Sequence, residues 1–121
     1  MRVIIAGGRT ITDSAYVKKA VSESGFNLTE IISGGAKGVD TLGEKYAKKA
    51  GIDLVTFHAN WTGLGNKAGP IRNMKMAMYA ASDLSKKGGL IAVWDGKSRG
   101  TGGMINIAKS LGLKVFIYRV D

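Results

Sequence analysis

The chain has 121 residues, of which 45% are hydrophobic, and it contains one histidine and no cysteine. This length fits one domain, and the missing cysteines exclude disulfides, thiolate nucleophiles and zinc–thiolate sites. Eighteen lysines and arginines against nine acids give a net charge of +9, which favours anionic partners, nucleic acid among them. A lone His58 cannot build a histidine-rich metal site. We therefore expect neither a metal nor a cofactor.

The sequence contains no apolar segment long enough to span a membrane, and we therefore expect no membrane partner. There is no stretch of about 18 or more apolar residues, the length that a membrane helix requires. The apolar run at residues 3–6 is too short for a secretion signal and is followed at once by glycines. We therefore expect a cytoplasmic protein.

The first half of the chain alternates strands and helices. Residues 3–6 are continuously apolar, as is typical of a parallel strand covered on both faces. A helix over Ser14–Ser24 is predicted next, capped by Thr12 or Asp13 and ended by Gly25. Glu30–Ser33 is the second strand. The spacing then predicts a helix over Val39–Ala50 that ends at Gly51.

The second half continues the pattern around one irregular stretch. A third strand is predicted at residues 54–57, followed by an irregular segment from His58 to Pro70. A Met- and Ala-rich helix is predicted at 71–83, just after the only proline. A strand at 90–94, a helix that contains Met104 and ends at Gly112, and a strand at 115–118 complete the chain. The Met- and Ala-rich helix is apolar beyond one face, which predicts a homodimer or larger homo-oligomer.

This alternation predicts a single α/β domain over residues 1–121, with a five-stranded parallel sheet and helices on both faces. Right-handed crossovers place the carboxyl ends of all the strands at one edge, where such sheets bind ligands. Four glycine-bearing loops follow the strands, at residues 7–9, 34–40, 61–73 and 96–103, and each carries a basic residue. A Gly-rich turn at a helix N-terminus presents backbone N–H groups to an anion. The loops therefore predict a ligand that carries phosphate.

The candidate ligand-binding residues come from these loops and the strand ends. They are Gly7, Gly8, Arg9, Gly34, Gly35, Ala36, Lys37, Gly38, Asp40, Trp61, Arg72, Asn73, Asp95, Gly100, Thr101 and Gly102. The glycines of the 34–38 and 100–102 turns are expected to cradle phosphate, with Thr101 either a contact or a helix cap.

Four of these residues have more specific expected roles. Arg72 would close a two-pronged guanidinium over the phosphate, so that Arg72→Ala weakens binding with little change in melting temperature. Asn73 beside it would read a base or a ribose. Asp40 could bind a ribose hydroxyl. Alternatively, it could simply be an acid in the first turn of a helix, where the helix dipole stabilises a negative charge. Trp61 could stack on a base or pack as a structural plug over its loop.

The motifs resemble a known family. The run Ser33-Gly34-Gly35-Ala36-Lys37-Gly38-Val39-Asp40 resembles the S-G-x-A-x-G-[IV]-D signature of DprA/Smf proteins. Together with Gly7-Gly8-Arg9, Trp61, Ala68-Gly69-Pro70-Ile71-Arg72-Asn73 and Gly100-Thr101, it is similar to the YspA-like branch of the SLOG superfamily. The resemblance implies a Rossmann-like fold and a nucleotide-derived ligand. Some relatives act in bacterial anti-phage systems and bind ADP-ribose-type signals.

The superfamily that this chain resembles also contains the LOG-type phosphoribohydrolases, whose P-G-G-x-G-T-x-x-E motif carries a catalytic Glu. In this chain Met104 stands at that position, and methionine cannot transfer a proton. Asp95, at a strand end, and Asp40 are the remaining candidates for acid–base catalysis.

Three functions remain open at this point. The first is binding, to sense or sequester a nucleotide second messenger such as an ADP-ribose-type or cyclic nucleotide signal, in a phage as a counter-defence sponge. The second is a nucleotide N-glycosidase that uses Asp95 or Asp40. The third is DprA-like binding of single-stranded DNA, for which Trp61 near Lys67 is the one candidate stacking platform.

Overall fold

A computed structural model describes residues 1–120, so that Asp121, the last residue of the predicted domain, lies outside the described range. Strands and helices alternate along it as the sequence predicts. In chain order they are β1 (Arg2–Gly7), α1 (Ser14–Ser24), β2 (Glu30–Ser33), α2 (Val39–Ala50), β3 (Asp53–Thr56), α3 (Trp61–Leu64), a 3₁₀ turn (Gly65–Lys67), α4 (Ala68–Ala81), β4 (Gly89–Trp94), α5 (Arg99–Ser110) and β5 (Lys114–Arg119).

The five strands form one parallel sheet in the order β3-β2-β1-β4-β5. The central strand β1 pairs Ile4 with Ile32 of β2 on one side and with Leu90 of β4 on the other. The direction of chain progression reverses between β1 and β4, which is the point where sheets of this kind bind ligands. The predicted α/β fold with a five-stranded parallel sheet is confirmed.

Two apolar cores lie on opposite faces of the sheet. Alternate residues of β1 point to opposite sides, so that Val3 and Ile5 pack with helices α1 and α2, while Ile4 and Ala6 pack with α4 and α5. Side chains on both faces are buried, which is why the central strands are apolar throughout. The predicted covering of both faces by helices is confirmed. No helix within residues 1–120 is long and apolar enough to cross a membrane.

Local capping signals set the ends of the first two helices. Asp13, one of the two predicted caps, accepts a hydrogen bond at Oδ1 from the Ala15 N–H at 2.9 Å. Gly25 and Gly51 end α1 and α2 in the left-handed conformation that glycine adopts without strain.

The predicted irregular segment from His58 to Pro70 is confirmed only as far as Asn60, because the chain is helical from Trp61 onward. Asn60 accepts a bond from the Gly63 N–H at 3.0 Å and starts α3, and the 3₁₀ turn then leads directly into α4. Helix α4 begins at Ala68 and contains Pro70 in its first turn, where a helix has no intrahelical partner for an N–H. It ends at Ala81 instead of residue 83. Asp83 instead accepts bonds from the Ser85 N–H and hydroxyl in the following turn.

Gly7 is needed because the backbone closes on it from two sides. A Cβ at this position would overlap the Val93 carbonyl oxygen and lie 2.6 Å from Val39 Cγ2. Both neighbours are fully buried, so the strand would have to shift. We expect Gly7→Ala to lower the free energy of unfolding by about 2–3 kcal/mol, measured by denaturant titration. Gly103→Ala is the matched control, because a Cβ there meets nothing within 4 Å inside α5, and it should be neutral or stabilising. Equal midpoints for Gly7→Ala and the parent would contradict this packing argument.

Candidate functional site

A cleft of about 220 Å³ opens at the carboxyl edge of the sheet, between the N-terminal turns of α4 and α5. The end of β1 and the start of α2 form its back. Eight of the predicted site residues line it, namely Gly7, Ala36, Asp40, Trp61, Arg72, Asn73, Gly100 and Thr101. The topology therefore brings together residues that lie as much as 94 positions apart in the chain, from Gly7 to Thr101.

Other predicted residues support the cleft from behind. A Cβ on Gly38, whose φ is +75°, would overlap the Gly8 carbonyl, and the Val39 N–H donates to that carbonyl at 3.2 Å. Arg9 lies beside the rim, with its guanidinium 5.8 Å from the centre of the Trp61 ring. The lining does not include Gly34, Gly35, Lys37 or Gly102. Gly34 instead packs under Arg72.

Asp95 does not belong to this cleft. Together with Gly8 it lines a separate groove next to Asp13 and Tyr16. Its carboxylate accepts bonds from the backbone N–H groups of Ser98 at 2.9 Å and Lys97 at 2.8 Å, and these bonds lower the pKa of Asp95. Asp95 therefore caps a turn as an exposed, ionised carboxylate outside the cleft, so that of the two candidates for acid–base catalysis only Asp40 lies in it.

The Gly34–Gly38 turn already holds an internal anion. Asp40 Oδ2 accepts from the Ala36 N–H at 3.2 Å, and the Gly35 N–H donates to Ser33 Oγ at 3.1 Å. Ser33 in turn donates to Glu44 Oε2 at 2.6 Å. Two backbone donors that the predicted phosphate cradle needs from this turn are thus engaged by the protein itself. The predicted role of the turn as a phosphate site is corrected to that of a holder for the Asp40 carboxylate.

Asp40 is the carboxylate that the structure does bring into the cleft. Only 6% of its surface is exposed. Burial raises the pKa of Asp40, against the opposing effects of the Ala36 N–H and the Arg72 guanidinium. A buried carboxyl with a raised pKa in a cleft is typical of a functional site.

Arg72 connects α4 to the turn after β2. Its Nη1 donates to the Gly34 carbonyl at 2.6 Å, and its Nε donates to Asn73 Oδ1 at 3.0 Å. Burial lowers the pKa of Arg72, while the nearby Asp40 carboxylate acts in the opposite direction. The cation at this helix start is therefore compensated from within the protein. The expectation that Arg72→Ala leaves the melting temperature unchanged is corrected, because the substitution removes a tertiary hydrogen bond.

The first turn of α5 is open toward the cleft. Ser98 is the N-cap residue of this helix, but its side chain accepts no hydrogen bond from the N–H groups of the first turn. Thr101, 4% exposed, has its hydroxyl 3.4 Å from the Ser98 hydroxyl. Trp94 holds the loop in place, because its Nε1 donates to the Ser98 carbonyl at 3.0 Å. Of the two predicted phosphate turns, this one keeps its donors available.

Trp61 forms one rim of the cleft. Half of its surface is exposed, and its ring lies against Gly69, where a Cβ would be 3.3 Å from the indole. The ring thus packs on α4 and keeps one part accessible. Within residues 1–120 no cluster of three or more acidic or histidine side chains could hold a metal ion.

Comparison with known proteins identifies a family. A family model described as "YspA, cpYpsA-related SLOG family" matches residues 1–63, which is more than half of the chain. The chain belongs to this family. The matched residues run from β1 to the Trp61 rim, whereas α4 and α5 lie beyond them.

A relative found among curated proteins is similar along nearly the whole chain. It is the "Gene 61 protein" of Mycobacterium phage D29, which is 29% identical over 123 residues, covering 94% of this chain and 93% of that protein. No solved structure matches this SLOG protein.

The apolar floor of the SLOG cleft escaped the sequence reasoning. Met76, Met104 and Ile107 line the cleft, and the first two are almost completely buried. Helical spacing carried the signal, because Met76 follows Asn73 by three residues, and Met104 and Ile107 follow Thr101 by three and six. The position of the LOG-type catalytic Glu is thus occupied by an apolar side chain inside the cleft itself.

Proposed function

We propose that this SLOG protein binds a nucleotide-derived small molecule in the cleft, an ADP-ribose-type or cyclic nucleotide signal. The observation that carries the proposal is the combination of groups on one concave surface. An open helix N-terminus, a guanidinium, a buried carboxyl and an apolar floor edged by an indole line the same cleft. These groups suit a phosphate, a ribose hydroxyl and a base. Membership of the SLOG family supports a nucleotide-related role.

In this proposal the phosphate lies at the first turn of α5. The dipole of a 12-residue helix favours an anion at Gly100 and Thr101. Arg72 uses Nε and Nη1 for protein contacts, and within residues 1–120 its Nη2 has no hydrogen-bond acceptor. Nη2 is thus the part of the guanidinium that remains for a ligand oxygen.

The ribose lies toward Asp40. Its carboxylate repels a phosphate but accepts a hydrogen bond from a hydroxyl, and one of its oxygens is already oriented by the Ala36 N–H. Asp40 therefore favours a sugar hydroxyl on the α2 side of the cleft and leaves the α5 side to the anion.

The volume of the cleft limits how much of the ligand it encloses. About 220 Å³ is less than the roughly 300–1,000 Å³ of a typical pocket for a drug-sized ligand. One nucleoside half of a larger signal would fill the cleft, and the remainder would extend over the rim toward Arg9 and Trp61. The net charge of +9 suits a ligand with more than one phosphate.

The biological role proposed is sensing or sequestration of such a signal. Similarity to a mycobacteriophage protein supports a phage setting, in which a small binding protein would act as a sponge for a host immune signal. No step of chemistry is required of the protein in this role.

Calorimetric titration against ADP-ribose, cyclic ADP-ribose derivatives and cyclic nucleotides tests the proposal. We expect at least one member to bind with a Kd in the micromolar range or below, equivalent to about 8 kcal/mol. Failure of every member to bind below about 1 mM, at a protein concentration that would detect it, would overturn the proposed function.

A second candidate function is nucleotide N-glycosidase activity, favoured by one observation. The raised pKa of Asp40 suits a group that exchanges a proton in a cleft. Met104 counts against the LOG-type version of this chemistry, because an apolar side chain occupies the position of the Glu. Asp40 would then have to be the acid or base, and substitution of Asp40 separates the two functions, as described in the Discussion.

We further propose that two copies associate through α4. Met74 and Met78 lie one turn apart on its outer surface and are both exposed. Covering these exposed apolar side chains with a second copy would remove them from water, which favours association. Light scattering at micromolar concentration is expected to give at least a dimer mass, and a sharp monomer mass would contradict the association.

A further inference from the structure

We propose, resting on the proposed function, that Asn73 determines specificity by donating a hydrogen bond from its side-chain amide to a ring acceptor of the ligand's base. The proposal narrows the ligand to one that presents a nitrogen or carbonyl acceptor, and no N–H group, at this point of the cleft. It also gives Arg72 a second role, as the residue that positions the amide.

The orientation of the Asn73 amide is set by its neighbour. Arg72 Nε lies 3.0 Å from Asn73 Oδ1. A guanidinium nitrogen only donates, so the atom facing it must be the amide oxygen. The Nδ2 group is therefore turned away from the guanidinium, and a flip of the amide would place two donors against each other.

The Asn73 amide nitrogen has no partner among the residues that the structure describes. The single hydrogen bond of this side chain is the one that Oδ1 accepts from Arg72. Asn73 is 92% buried, with 8% of its surface exposed, and it lines the cleft. No buried side-chain nitrogen or oxygen lacks a hydrogen-bond partner among the described residues, so the Asn73 amide nitrogen, which has none, is accessible from the cleft. An amide that is held by its oxygen and open at its nitrogen is prepared for an acceptor from outside the protein.

The surroundings of Asn73 favour a base over a phosphate as that acceptor. Met76, one turn further along α4, and Met104 and Ile107 of α5 form the apolar floor of the cleft. A planar uncharged ring can be desolvated on such a floor, whereas a phosphate would lose its hydration without compensation. The anion has the open α5 turn and Arg72 Nη2 available instead. The edges of purine bases carry ring nitrogens and carbonyl oxygens that accept hydrogen bonds.

The fixed orientation of the amide also limits what Asn73 can distinguish. An unconstrained asparagine reads adenine with both atoms of its amide, accepting from the exocyclic amine and donating to a ring nitrogen. Here Arg72 Nε occupies one lone pair of Oδ1 and fixes that oxygen toward the guanidinium, which leaves the N–H groups of Nδ2 as the hydrogen-bonding groups turned away from it. Asn73 is therefore expected to require an acceptor without distinguishing an amino-purine from an oxo-purine.

Asn73→Asp is the test, because it changes the donor and keeps the acceptor. The carboxylate can still accept from Arg72 Nε, while the position of Nδ2 becomes an oxygen. With ADP-ribose as the probe, we expect the Kd to rise at least about tenfold, and with ribose 5-phosphate, which has no base, less than about threefold. The melting temperature should not fall, since the carboxylate strengthens the contact with the guanidinium. Asn60→Asp is the matched control, because it adds the same charge at the exposed cap of α3.

The outcomes separate this inference from the proposed function. If the parent protein binds ADP-ribose and Asn73→Asp binds it within about twofold, Asn73 only holds Arg72 and the inference is overturned while the function stands. If Asn73→Asp loses ribose 5-phosphate as strongly as ADP-ribose, the amide or the added charge acts on the sugar phosphate and the base assignment is overturned. If the parent binds neither probe, the proposed function fails for this ligand class and the inference fails with it.

Discussion

Arg72→Ala is expected to weaken nucleotide binding by about 10- to 150-fold and to lower the melting temperature as well. The first effect follows from the loss of charge-assisted hydrogen bonds to phosphate, worth roughly 1.5–3 kcal/mol. The second follows because the Gly34 carbonyl loses its 2.6 Å donor and Asn73 Oδ1 loses its partner. Each ~1 kcal/mol of lost stability lowers the melting temperature by roughly 3–6 °C in a domain of this size. Calorimetric titration and thermal melting measure the two effects on the same sample.

Arg72→Lys and Lys75→Ala complete the experiment. Lysine restores the charge but cannot contact Gly34, Asn73 and a ligand together through one planar group, so only part of the affinity should return. Lys75 is an exposed cation on the same helix, so Lys75→Ala should bind and melt like the parent. If Arg72→Ala binds like the parent and only melts earlier, Arg72 is purely structural and the phosphate position is drawn in the wrong place.

Asp40→Asn is expected to stabilise the unliganded protein at neutral pH and to weaken binding of ribose-containing ligands by about 10- to 150-fold. Burial raises the pKa of Asp40 above its ordinary value of 3.8, so the folded protein binds this proton more tightly than the unfolded chain does. Stability is therefore lost as the pH rises from about the unfolded value through the folded one. Asparagine resembles the protonated carboxyl and can still accept from the Ala36 N–H.

Denaturant titrations of the parent and Asp40→Asn from pH 3 to pH 7.5 test the sign. The advantage of the variant should be small at the acidic end and grow with pH until the folded pKa has been passed. If the variant is less stable than the parent at neutral pH, the attraction between the Asp40 carboxylate and the Arg72 cation stabilises the fold by more than the burial of the carboxylate destabilises it. Asp95→Asn is the control for the site, since Asp95 lies outside the cleft, and it should leave binding unchanged.

The same pair of variants decides between binding and catalysis. Chromatography of ADP-ribose and nucleoside monophosphates after long incubation is expected to show no free base with the parent protein. Free base that is released by the parent and by Asp95→Asn, but not by Asp40→Asn, would establish the N-glycosidase function with Asp40 as its acid or base.

The order and type of the main elements could be derived from the sequence, because their signals are local. Continuous apolar runs mark the strands, and Asp13, Gly25 and Gly51 mark helix ends through contacts within one turn. The start of α4 was predicted at residue 71 instead of Ala68, because the sequence alone does not distinguish a proline within the first turn of a helix from a proline just before it. The candidates Asp40, Arg72, Asn73 and Thr101 were also available, since parallel topology brings all strand-end loops to one edge.

Only the tertiary structure decided how those candidates are used. Arg72 meets the Gly34 carbonyl across 38 positions of sequence, and this contact converts an expected free phosphate clamp into a partly engaged one that also orients Asn73. The Asp40 carboxylate accepts a hydrogen bond from the turn whose glycines predicted a phosphate site. Asp95 lies in a separate groove. Periodicity and capping depend on neighbours within a few residues, whereas these outcomes depend on which donors and acceptors the strand order β3-β2-β1-β4-β5 places in contact.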